Sequence, residues 1–67
     1  MAFAEKLIAV RRVHHLTQEQ LATKLFVTRQ AVSRWERGEV TPGIDMMKLI
    51  AAVTGEPLSP AVAARLP

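Results

Sequence analysis

The stretch LTQEQLATKLFVTRQAVSRWERG, Leu16 to Gly38, holds two helix beginnings in quick succession. Thr17 and Gln20 have the spacing of a capping box: the threonine hydroxyl accepts from an otherwise orphan N–H while the glutamine reaches back to the N–H of the cap. Leu16 and Leu21 stand where a hydrophobic staple closes around such a start. The pattern recurs at Thr28, with Val27 and Val32 in the staple positions and Ala31 where the box would want an acid or an amide. A helix that begins at Thr17 therefore stops by about Leu25, and a turn of about three or four residues separates it from the next. Gly38 ends that third helix, at a position where a left-handed residue costs least.

Working outward, Phe3, Leu7 and Val10 form the apolar stripe of a first helix at about residues 2–13, closed by the basic or polar Arg11, Arg12, His14 and His15. After the loop GEVTPG, the segment IDMMKLIAAV places Ile44, Met47, Ile50 and Val53 on one side of a fourth helix, with Asp45 in its first turn and Gly55 at its end. Ser59 and Pro60 can open a short fifth helix in EPLSPAVAARLP. No segment alternates as a strand does, and no solenoid repeat appears. The expectation is an all-α, compact bundle of four to five short helices, a single domain over 1–67.

Composition narrows the function. The chain has 67 residues, no cysteine and a hydrophobic fraction of 49%. A disulfide framework and a thiolate metal site are thereby excluded. The opening MAFAEKLIAV is interrupted by Glu5 and Lys6, too soon for a signal peptide or a membrane span, so a soluble, cytoplasmic chain with no membrane partner is expected. No nucleophile is paired with a base, no glycine loop cradles a phosphate and no carboxylate pair is present, which argues against an enzyme. His14 and His15 are neighbours and diverge on a helix, so they form a polar helix end and no metal site. Met46 and Met47 read as adaptable filler. No cofactor and no small-molecule ligand is expected.

Nine Lys and Arg against six Asp and Glu give a net charge of +3, and Arg29, Arg34 and Arg37 crowd into the third helix. At roughly 100° per residue, Thr28, Val32 and Trp35 fall within about 60° of one another and form its packed face. Gln30, Ser33, Arg34 and Arg37 fall opposite, with Arg29 at the edge. These side chains suit double-stranded DNA: arginine bonds guanine O6 and N7 in pairs, glutamine bonds adenine N6 and N7, and serine bonds base or phosphate. Glu36 lies about 40° from Val32, toward the core. A carboxylate there needs a partner, and Arg11 at the end of helix 1 is the one expected.

Over about residues 4–58, LTQEQLATKL, VTRQAVSRWERG and PGIDMMKLIAAV resemble the Cro and phage-repressor (Xre) type of helix-turn-helix DNA-binding domain, a lambda-repressor-like fold. The resemblance places the motif at about 17–36 and implies that its second helix lies in the major groove. It implies that Gln18 meets a DNA phosphate, that Thr28 caps and contacts the backbone, and that Arg29, Gln30, Ser33 and Arg34 reach base edges or nearby phosphates. It also implies the Arg11–Glu36 ion pair. Phe26 and His15 stand where the family often has glycine, and the GEVTPG loop brings Glu39 and no base. Phe26 is expected to keep the family's turn, with its ring covering the edge of the bundle or a partner.

The function expected is sequence-specific binding of double-stranded DNA by a transcriptional regulator, a repressor in the simplest case. A homodimer is expected through the C-terminal segment, where Leu58, Val62 and Leu66 repeat at i, i+4, i+8. The alternative is a protein-interaction or antitoxin-like regulatory module with secondary DNA binding.

Overall fold

Two consecutive turns of the same design organise the molecule. The computed structural model describes residues 3–55, and within them the chain forms α1 (Phe3–Val13), α2 (Gln18–Leu25), α3 (Arg29–Glu36) and α4 (Ile44–Thr54), with no strand. The fifth helix expected near Ser59, and the dimer surface expected on Leu58, Val62 and Leu66, lie outside the described residues.

The connection after α1 begins with His14 and ends in the triplet His15, Leu16, Thr17, which matches the triplet Phe26, Val27, Thr28 that makes up the turn after α2. In each, the first residue is left-handed (His15 φ 56°, Phe26 φ 58°). The second residue is a half-buried plug packed on the core, and the third caps the next helix. The hydrogen bonds are those of a Schellman ending. His15 N–H bonds Arg12 O at 3.0 Å and Leu16 N–H bonds Arg11 O at 3.0 Å; Phe26 N–H bonds Thr23 O at 3.3 Å and Val27 N–H bonds Ala22 O at 3.0 Å. α3 ends the same way on Gly38 (φ 75°), whose N–H bonds Trp35 O at 3.2 Å while Glu39 N–H bonds Arg34 O at 3.0 Å. Glycine takes that backbone without penalty, whereas a residue with a Cβ gives up about 1–2 kcal/mol.

The caps are formed in full. Thr17 Oγ1 accepts from Gln20 N–H at 3.0 Å and Thr17 N–H donates to Gln20 Oε1 at 2.9 Å, a complete capping box. Thr28 Oγ1 accepts from Ala31 N–H at 3.1 Å. Because the cap residue is extended (φ −82°, ψ 155°), Thr28 leaves the helical wheel that grouped it with Val32 and Trp35, and it is exposed.

The core joins Leu7 and Val10 of α1, Leu21, Ala22 and Leu25 of α2, Val32 and Trp35 of α3 and Ile50 of α4, with Phe3 and Leu16 packed against it. α3 lies on both α1 and α2, and α4 closes on α2. The face of α4 differs from the one its periodicity suggests. Ile50, Ala51 and Thr54 are buried and Met46, Met47 and Leu49 half-buried, while Ile44 and Val53 face solvent. α4 is apolar nearly all round, so its sequence alone does not select the face. Phe26 keeps the expected turn, and of the two coverings expected for its ring the edge of the described bundle is not one, since the residue is 90% exposed. No described helix is long and apolar enough to cross a membrane.

Candidate nucleic-acid interface

α3 is two-faced by construction. Val32, Trp35 and Glu36 are buried and Ala31 is half-buried, which fixes the inner side of the helix. Arg29, Gln30, Arg34 and Arg37 are exposed on the other side and Ser33 is half-buried between them. These five side chains border one open depression. No acid occupies the first turn of α3, so the positive end of the helix is not neutralised from within. Three guanidinium groups, an amide and a hydroxyl on one rigid face can donate to phosphates and to the acceptor edges of bases.

The inner side is held by charge as well as by packing. Arg11 Nε donates to Glu36 Oε2 at 2.6 Å, Arg11 Nη2 donates to Glu36 Oε1 at 3.1 Å, and Arg11 Nη1 donates to Leu16 O at 2.8 Å. Gln18 Nε2 adds a bond to Glu36 Oε1 at 3.0 Å. A single carboxylate, on a residue 8% exposed, thus ties the end of α1, the start of α2 and the last turn of α3 together. A forked guanidinium and an amide donate three bonds to its two oxygens, which offsets the desolvation of a buried charge. Among the described residues no buried side-chain nitrogen or oxygen lacks a partner.

Two placements were not visible in the sequence pattern. Gln18 sits at the first position of α2 with its amide turned inward on Glu36, so only one N–H and the carbonyl oxygen of that amide remain for another partner. Arg37, just past α3, pairs with Glu39 at 2.7 Å, both side chains being more than half exposed. The pair spans the left-handed Gly38, and a helical wheel says nothing about residues on the two sides of such a turn. Lys24, Thr28, His14 and His15 are exposed. No group of three or more His, Asp or Glu among the described residues could hold a metal ion.

Comparison with known proteins places the chain in a family. A family model described as helix-turn-helix matches residues 7–60. Over 51 residues the chain is 47% identical to the HTH-type transcriptional activator BcrR of Enterococcus faecalis, a match covering 76% of this chain and 25% of that protein. Over 50 residues it is 42% identical to the uncharacterized HTH-type transcriptional regulator MJ0272 of Methanocaldococcus jannaschii, covering 75% of this chain and 76% of that one. The chain thus aligns with about a quarter of the length of the first relative and three quarters of the second. No solved structure matches it. With α2, the Phe26–Thr28 turn and α3 inside the matched region, the chain belongs to the helix-turn-helix family.

Proposed function

We propose that this chain binds double-stranded DNA sequence-specifically and serves in the cytoplasm as a transcriptional regulator, docking α3 in the major groove. The observation that carries the reading is the depression bordered by Arg29, Gln30, Ser33, Arg34 and Arg37, opposite a face immobilised by Val32, Trp35 and the Glu36 network. Rigid presentation matters because a bidentate bond to a base edge is directional. In this reading Arg29, Gln30, Ser33 and Arg34 meet base edges or adjacent phosphates. Gln18, Lys24, Thr28 and Arg37 grip the backbone and set the register.

Membership of the family and the names of the two relatives support transcriptional control as the setting. Occlusion of a promoter, as a repressor, needs docking alone; one relative is named an activator, and docking of α3 is the step shared by either outcome. One module of this size makes few contacts, so two copies on half-sites about 34 Å apart would give tight binding. The test is a duplex titration at several salt concentrations. Affinity that falls steeply and linearly on a log–log scale, with a residual preference among sequences, is the expected result; no salt-sensitive binding to any duplex contradicts the proposal.

A further inference from the structure

Phe26 gains nothing from the fold that the structure can show. Its backbone is left-handed (φ 58°, ψ 39°) and the residue is 90% exposed, the most exposed of the large hydrophobic residues described. Gly38 meets the same backbone demand at the end of α3 with no side chain at all. His15 shares the strain but carries a polar ring that water can solvate. Backbone strain of this kind clusters where a side chain meets a ligand, and the feature peculiar to Phe26 is an aromatic ring held in solvent.

Its position says which ligand. Thr28, the cap of α3, is two residues on, so the Cα of Phe26 lies within about 7 Å of the Cα of that cap. Arg29 and Gln30, the first exposed residues of the outward face, follow at once. Lys24 before it and Arg29 after it are both exposed. The other exposed large hydrophobics, Val13, Val40, Ile44 and Val53, belong to α1, the α3–α4 connection and α4. A protein partner is met by a contiguous apolar patch. A lone ring flanked along the chain by two exposed cations instead matches a surface where phosphates alternate with apolar base edges, and in the major groove the apolar edge is the C5-methyl of thymine.

We propose that Phe26 is a specificity-determining residue whose ring packs on a thymine C5-methyl beside the bases met by the start of α3; this rests on the DNA-binding reading given above. The test begins with random-site selection on duplex DNA using the full chain. Fluorescence anisotropy then follows the selected duplex, with its thymines replaced singly by deoxyuridine, for the parent, Phe26→Asn and Phe26→Gly. Asn and Gly both tolerate positive φ, so thermal melting is expected to show both variants folded and at least as stable as the parent. One deoxyuridine is expected to weaken the parent about fourfold, the worth of one buried methyl. Both variants are expected to lose the same factor on the thymine duplex and to ignore that deoxyuridine.

Parental affinity in both variants overturns the inference, and so does a loss that no deoxyuridine reproduces. A change confined to self-association in sedimentation also overturns it, making the ring a protein contact. In all three cases, lost affinity in Gln30→Ala and Arg34→Ala leaves the DNA-binding reading standing. If those two bind as the parent does, or no duplex is selected, that reading fails and the inference with it.

Discussion

Gln18 Nε2 donates to Glu36 Oε1 across 3.0 Å, so the first residue of α2 is bonded to the last residue of α3. Arg11 holds the same carboxylate from the end of α1. The last turn of α3 is therefore tied to α1 and α2 by one buried acid and two donor side chains, besides the packing of Val32 and Trp35. Arg11→Met is expected to destabilise the domain by about 2–4 kcal/mol, because it leaves Glu36 buried with a single amide donor. That is most of the roughly 3–5 kcal/mol a core of this size supplies. Arg11→Met combined with Glu36→Leu is expected to recover much of the loss, since the uncompensated charge is gone. Urea unfolding of the two variants measures both effects.

The left-handed residues with a Cβ are correctable. His15→Gly and Phe26→Gly are each expected to stabilise by about 0.5–1 kcal/mol, the relief of strain being partly offset by the greater freedom of glycine in the unfolded chain. Thermal melting should show a rise of several degrees for each in so small a domain. The two effects should add, because the residues sit in separate turns.

α4 starts on Gly43 with no side-chain cap, at φ −68° and ψ 171°, and a Cβ there meets nothing within 4 Å. Gly43→Ser is expected to gain about 0.5 kcal/mol by supplying the missing acceptor. Thr17→Ala is the converse, with an expected cost of about 1 kcal/mol because Gln20 N–H loses its acceptor, while the backbone N–H of residue 17 can still donate to Gln20 Oε1. Denaturant midpoints with unchanged slopes check the pair.

Arg37 shares its charge with Glu39 at 2.7 Å. Glu39→Gln releases it and removes an anion from beside the proposed DNA surface. Stability should move by less than about 0.5 kcal/mol, since the pair is exposed. Affinity for all duplexes should rise alike, and the salt slope should steepen by about one.

Much of the frame was legible because it rests on short-range chemistry. Thr17 with Gln20, and Thr28 after Val27, declare two helix starts whatever lies around them. The wheel position of Glu36 was enough to point it inward, and the last turn of helix 1 offered Arg11 as a donor. What escaped depends on tertiary placement. Gln18 turns inward because the last turn of α3 passes beside the start of α2, which no spacing within α2 reveals. The face of α4 was misread at Ile44 and Val53 because apolar residues nearly all round the helix leave its buried side to be chosen by α2. The exposure of Phe26 could not be read from composition, since an aromatic is ordinarily assigned to a core.

The central claim is that the outward face of α3 reads bases while its flanks hold phosphates. The direct test is the affinity of Gln30→Ala, Arg34→Ala, Lys24→Ala and Arg37→Ala for a selected duplex and for its single-base variants. Gln30→Ala and Arg34→Ala are each expected to cost about 1–3 kcal/mol and to relax the preference at one base position. Lys24→Ala and Arg37→Ala are expected to weaken all the duplexes equally. Parental affinity and unchanged base preference in all four would contradict the account.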